Sequence, residues 1–158
     1  MANEMTKWGV GPKFTLYSAV YCIFIIVLTT RNNPSFRMTF VPYPLLASIG
    51  IILILMGIPF YILSLVTVMR AFKAGRLVTG GVYGMCRHPV YAAWVIFFVP
   101  GIVFLINSWI GFSAPMVMYL ILRALVKEED GYLERTFGAE YLAYKEKVPA
   151  VLPIGWLR

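Results

Sequence analysis

The sequence predicts an all-α integral membrane protein with four transmembrane helices, and three observations carry that prediction. Of its 158 residues, 60% are hydrophobic and 13% charged, with a mean hydropathy of +0.78, which leaves too little polar surface for a soluble domain. The apolar residues gather in four runs, 14–30, 45–69, 90–106 and 109–126, close to the roughly 20 residues a helix needs to cross a hydrocarbon core. The lysines and arginines fall on one side of these runs, except Arg31 and Arg37, which sets both termini on the cytoplasmic face.

The first run follows Lys7 and Lys13 as a signal peptide would, but no small-residue cleavage site follows at Leu28-Thr29-Thr30-Arg31, so it reads as a retained span. The second is long enough to tilt and carries Gly57 and Pro59. Pro100-Gly101 interrupts the third run and Pro115 the fourth; the expected outcome is kinks that serve packing. Only Asn107-Ser108 separates runs three and four, which predicts a tight helical hairpin. Beyond the fourth run, Glu128-Glu129-Asp130 brings three consecutive carboxylates to the membrane boundary. Leu133, Phe137, Tyr141, Tyr144 and Val148 then recur at helical spacing, predicting an amphipathic helix on the cytoplasmic interface that Val148-Pro149 ends. No alternating segments of barrel type, internal repeat or long linker is visible, so residues 1–158 read as one domain.

The net charge of +7 follows from the positive-inside bias rather than from a nucleic-acid partner, and anionic lipid head groups are the expected neighbours of that basic rim. Cys22 lies within a span and Cys86 beside a loop. With a single histidine, neither a disulfide nor a metal site is expected. A transporter is disfavoured because no ionisable residue sits at mid-depth in any span.

Polar chemistry concentrates at 80–91, between the second and third runs. Gly80, Gly81 and Gly84 permit positive φ and close approach of a ligand to the backbone, without the strand and helix context of a dinucleotide fingerprint. Pro89 suits the first position of the third helix, with His88 as its cap. The helix N–H groups and Arg87 would then form a receptor for a carboxylate or phosphate; the plainer alternative is that Arg87 snorkels and His88 only caps.

These residues resemble the isoprenylcysteine carboxyl methyltransferase and phospholipid methyltransferase group of integral membrane enzymes. Two stretches carry the likeness. One is Leu77-Val78-Thr79-Gly80-Gly81-Val82-Tyr83 through Arg87-His88-Pro89-Val90-Tyr91. The other is Glu128-Glu129 through Phe137-Gly138-Ala139-Glu140-Tyr141-Leu142-Ala143-Tyr144 and Val148-Pro149 to Leu152-Pro153. Together they cover 77–153; the amino-terminal half matches only as generic spans, and Ala93 stands where the family often has glycine.

The resemblance implies methyl transfer from S-adenosylmethionine at the cytoplasmic face, with Val78, Gly81, Tyr83, Arg87, His88, Pro89, Tyr91, Glu128 and Glu129 as cofactor-binding residues. Arg87, His88 and the helix start suit the cofactor's carboxylate, and the faces of Tyr83 or Tyr91 its sulfonium. Glu128 or Glu129 suits its ammonium or ribose hydroxyls. Catalytic roles fall on Arg123, to orient a carboxylate acceptor, and on Glu129, to accept a proton from an amine or thiol. The expected partner is a lipophilic or lipidated acceptor arriving from the membrane, such as an isoprenylcysteine carboxylate, with a phospholipid or small amine or thiol as the alternative. A homodimer pairing through Gly57 or Gly101 is the other expected partner. The competing readings are an NADPH-dependent membrane reductase, which the acidic pair Glu128-Glu129 disfavours near a 2′-phosphate, and a non-catalytic membrane protein.

Overall fold

The computed structural model describes residues 9–151, and these fold as helices. Four are long and apolar enough to cross a membrane: α1 Gly11–Arg31, α2 Tyr43–Ala74, α3 Pro89–Ile106 and α4 Ile110–Phe137. A shorter α5, Ala139–Lys147, follows, and single helical turns occupy Asn33–Phe36 and Val82–Met85. The four predicted runs lie within the four long helices, save for Trp109, which stands one residue before α4. α2 outreaches its run because Gly75, left-handed at φ 60°, is the first residue to stop it, and the Arg76 N–H then returns to the Ala71 carbonyl at 3.1 Å. Leu152-Pro153, which end the second stretch of the family resemblance, lie outside the described residues.

Lipid offers no hydrophobic drive for helix association, so close backbone approach and hydrogen bonds must supply it. α2 and α3 meet through glycines: a Cβ on Gly50 would stand 2.7 Å from the Gly101 carbonyl oxygen, and one on Gly57 would stand 2.7 Å from Phe97 Cβ. This corrects the expectation that Gly57 or Gly101 offers a dimerisation face, because both glycines are spent on the contact between α2 and α3 within the chain. α4 packs on α3 and on α1, so the helices follow one another around the bundle as α2, α3, α4, α1. The buried stripe of α4 is Ala114, Met118, Leu122 and Val126, four residues apart.

Two of the proline expectations change. Pro115 lies in the first turn of the regular part of α4, where its missing N–H removes no bond, so no break arises there. Pro100 cannot bond the Ile96 carbonyl, and α3 widens into a π-helical stretch at Trp94–Phe98 immediately before it. The hairpin between α3 and α4 turns at Asn107, left-handed at φ 53°. That turn is tied to the segment between α1 and α2, with the Met38 N–H donating to Asn107 Oδ1 at 3.2 Å and the Trp109 N–H donating to the Phe36 carbonyl at 3.0 Å.

At the opposite face the start of α1 meets the end of α4, where Lys13 Nζ lies 2.6 Å from Glu128 Oε2. The predicted amphipathic helix is two helices instead. Gly138, at φ 53°, breaks the chain between Phe137 and Ala139, leaving Leu133 and Phe137 on α4 and Tyr141 and Tyr144 on α5. Tyr141 is fully buried, so this face of α5 packs into the protein rather than onto lipid.

Candidate functional site

Asp130, which the sequence reading did not single out, organises the polar face. It continues the buried stripe of α4 by one further step of four residues, and that spacing was the available signal. Its carboxylate accepts hydrogen bonds from Arg87 Nη2 at 3.1 Å and from the Tyr141 hydroxyl. It also lies 3.1 Å from His88 Nε2 and 3.7 Å from Lys145 Nζ. The side chains of Arg87 and Asp130 are 8% and 11% exposed, so the pair acts in a medium where charge interactions are strong. The Arg87 guanidinium also lies 5.9 Å from the centre of the Tyr141 ring.

His88 occupies the position before Pro89 at the start of α3, but its side chain makes no capping hydrogen bond. Instead the ring lies between Asp130, at Nε2, and Glu129, whose Oε1 is 3.8 Å from Nδ1. The backbone of this loop is tied to the segment after α5: the Arg87 N–H donates to the Pro149 carbonyl at 2.9 Å and the His88 N–H to the Ala150 carbonyl at 3.0 Å. Tyr144 donates to the Tyr83 carbonyl at 2.6 Å, and Tyr83 in turn donates to the Ser64 carbonyl on α2 at 3.3 Å. Burial raises the hydroxyls of Tyr83, Tyr141 and Tyr144 well above the ordinary phenol value, so they remain donors at neutral pH. Arg87 and His88 are thereby clamped from α2, α4 and α5 at once.

Above this layer lies a cavity of about 1230 Å³. Its polar end is lined by Val78, Tyr83, Arg87, His88, Tyr91 and Glu129, which the sequence had placed together. Tyr91 donates to Glu129 Oε2 at 3.3 Å, and its ring stacks beside His88 with centroids 6.2 Å apart. The turn before α1 closes over Glu129: Gly9, at φ 54°, is so near that a Cβ there would stand 2.9 Å from Glu129 Oε2. The other end of the cavity is apolar and runs between α1 and α2, reaching Cys22, Ile102 and Met118.

The remaining candidates lie outside the cavity lining. Glu128 is one helical step from Glu129 and points out to Lys13. Arg123 is exposed, with its guanidinium 6.0 Å from the Tyr119 ring, because it follows Leu122 on the buried stripe and so turns away from it. Pro89 is fully buried beneath the site, and Gly81 supplies a turn at φ 60° without facing the cavity.

The Arg87 charge shows what the polar end can hold. Arg87 Nε and Nη1 are buried and have no hydrogen-bond partner among the described residues, while Nη2 is committed to Asp130. Those two atoms are closed off and lie on different edges of the guanidinium, but Arg87 as a residue lines the cavity and sets a fixed positive charge beside it, which suits an anionic group such as a carboxylate. The residues present are compatible with the S-adenosylmethionine that the family resemblance implies, with the Arg87 charge suited to its carboxylate and Tyr91 and Glu129 to its cationic part.

Comparison with known proteins identifies a family. The model of the isoprenylcysteine carboxyl methyltransferase family matches residues 45–135, which include all but the first two residues of α2, all of α3, the Arg87-His88 loop and the carboxylates of α4. The protein-S-isoprenylcysteine O-methyltransferase of Mus musculus is 40% identical over 77 residues, 49% of this chain and 27% of that protein; the Homo sapiens protein of the same name aligns to the same extent. Protein-S-isoprenylcysteine O-methyltransferase B of Arabidopsis thaliana is 27% identical over 117 residues, 68% of this chain and 59% of that protein. The matched segment thus spans about a quarter of the length of the mammalian relatives. No solved structure matches the chain. With the family's match running through both halves of the polar site, the chain belongs to the isoprenylcysteine carboxyl methyltransferase family.

Proposed function

We propose that the protein transfers a methyl group from S-adenosylmethionine to the carboxylate of a lipophilic acceptor of the isoprenylcysteine kind, at the cytoplasmic face of a membrane. The observation that carries this is the union, in one cavity, of a polar end built from Arg87, His88, Tyr91 and Glu129 with an apolar arm lined by α1 and α2. The volume exceeds the roughly 300–1,000 Å³ of an ordinary ligand pocket, as a site for two substrates requires.

When bound, the cofactor supplies an electrophilic methyl on a sulfonium: the acceptor oxygen forms a bond to that carbon as the carbon–sulfur bond breaks, and the electron pair goes to sulfur. Arg87, fixed by Asp130, would bind and orient the cofactor's carboxylate. Tyr91 presents an aromatic face and Glu129 a negative charge to the cationic region. A carboxylate acceptor is already nucleophilic and releases no proton, so no general base is needed. An amine acceptor would place that demand on Glu129, the cavity-lining carboxylate. The largely apolar lining of the cavity favours a displacement that destroys charge.

The seam between α1 and α2 gives the acceptor a lateral path. α1 packs on α4 and α2 on α3, while residues of both α1 and α2 line the cavity. The test is equilibrium binding of S-adenosylmethionine, S-adenosylhomocysteine and NADPH to detergent-purified protein, with Arg87→Met and Arg123→Ala beside the wild type. Selective binding of the adenosyl ligands, weakened at least about tenfold by Arg87→Met and unchanged by Arg123→Ala, is expected for a charge-assisted pair of about 1.5–3 kcal/mol. Preference for NADPH would overturn the assignment.

A further inference from the structure

We propose that the turn leading into α1, Gly9 to Phe14, is a positioning element of the methyl-transfer site: it sets where the Glu129 carboxylate stands, and Gly9 is the residue whose missing side chain allows this. The inference rests on the reading of Glu129 given above, as the negative charge facing the cofactor's cationic region.

The turn lies outside residues 45–135, the segment that the family model matches, yet Gly9, Gly11, Pro12 and Phe14 line the cavity. Three contacts fix it there. Phe14, 4% exposed, packs edge-on against Tyr91 with ring centroids 5.4 Å apart. Lys13 Nζ pairs with Glu128 at 2.6 Å, and a Cβ on Gly11 would already touch the Tyr91 hydroxyl at 3.6 Å. α1 has no acidic residue in its first turn and no side chain capping its start, so the carboxylates of α4 supply the negative charge that the beginning of a 21-residue helix favours.

Gly9 makes the nearest approach to the site. A Cβ there would stand 2.9 Å from Glu129 Oε2 and 3.0 Å from both Cδ and Oε1, nearly equidistant from all three, so it would press on the face of the carboxylate. Tyr91 donates to the same carboxylate at 3.3 Å, and His88 Nδ1 lies 3.8 Å from it. The start of α3 thus holds Glu129 on one side and the α1 turn bounds it on another. To bring that Cβ to an ordinary contact of 3.4 Å, the carboxylate would have to shift by about 0.5 Å. A misplacement of about 1 Å can cost about a hundredfold, so half of that corresponds to about tenfold. The left-handed φ of 54° at Gly9 adds a separate backbone cost, which any L side chain carries whatever stands at position 129.

That separation gives the test. Gly9→Ala is made in wild-type protein and in Glu129→Ala, where the carboxylate that the new methyl would meet is gone while the backbone cost at position 9 remains. Equilibrium binding of S-adenosylmethionine to the full chain in detergent is expected to weaken about tenfold in the first background and less than about twofold in the second. A second readout needs no cofactor. Glu129, whose side chain is 19% exposed, is labelled with a membrane-permeant carbodiimide, and its rate is read by mass spectrometry against the exposed Glu140. Gly9→Ala is expected to raise that rate at least about threefold by moving the carboxylate out of its seat. Equal binding losses in the two backgrounds, no loss in the first, or an unchanged labelling rate overturns the proposal. Faster labelling in a protein whose wild type binds no adenosyl ligand would leave the seating of Glu129 standing and reject the cofactor reading on which its role depends.

Discussion

Replacing Asp130 by alanine strips a buried cation of the one carboxylate that pairs with it among the described residues, and the structure sets the size of the effect. The carboxylate is 11% exposed, holds Arg87 Nη2 at 3.1 Å, accepts from Tyr141 and contacts His88 Nε2 at 3.1 Å. Because Arg87 Nε and Nη1 are already unpaired, Asp130→Ala leaves the whole guanidinium without an anion. Breaking one side of a buried pair costs about 3–5 kcal/mol. Asp130→Asn keeps the shape and one acceptor but loses the charge, for an expected cost of about 1.5–3 kcal/mol. The double variant Arg87→Met with Asp130→Leu removes the orphaned charge as well as its partner, and it is expected to recover most of the alanine loss. Equilibrium unfolding in mixed micelles, followed by circular dichroism, measures these variants and the wild type together with the single substitutions Arg87→Met and Asp130→Leu. An Asp130→Ala protein within about 1 kcal/mol of wild type, or a double variant as unstable as the sum of its single substitutions, would refute the account of Asp130 as the group that holds Arg87 in place.

Three further outcomes follow. Burial pushes the Cys86 thiol up to about 12 from its ordinary 9.0, so its contribution to stability is complete below pH 9 and is lost as pH rises toward 12; urea-unfolded protein should alkylate at Cys86 at pH 8 far faster than folded protein, and equal rates would contradict its burial. Ser18 Oγ is buried on the cavity wall and has no partner among the described residues, so Ser18→Ala is expected to raise stability by about 1 kcal/mol in the same unfolding assay, and a loss of stability would contradict this. Gly101→Leu forces a side chain into a gap where even a Cβ would meet Ile54 Cγ1 at 2.8 Å; the expected loss is at least about 3 kcal/mol with α2 and α3 driven apart, whereas tolerance would show that their contact is not set by backbone approach.

The four spans were legible because each is determined locally: an apolar run of sufficient length has no alternative in lipid but to close its own hydrogen bonds as a helix. The hairpin at Asn107-Ser108 and the gathering of Tyr83, Arg87, His88, Tyr91 and Glu129 were legible for a related reason, since polar groups between two spans must collect at one membrane boundary. Helical phase could have been read further than it was. The step of four residues from Met118 through Leu122 and Val126 already aims Asp130 inward, and the same phase turns Arg123 and Glu128 outward.

Other features were decided only by contacts between segments distant in sequence. Gly57 and Gly101 look alike as dimer faces or internal contacts until α2 and α3 are brought together, because a glycine specifies that something approaches and not what does. Gly138 breaks a periodicity that runs unbroken in the sequence, since Tyr141 must turn inward to reach Asp130. The sequence by itself determined the spans, the polar boundary and the residues gathered there; the tertiary structure decided which side chains face the cavity, which bind each other, and how deep the cavity runs, because those depend on how helices far apart in the chain meet.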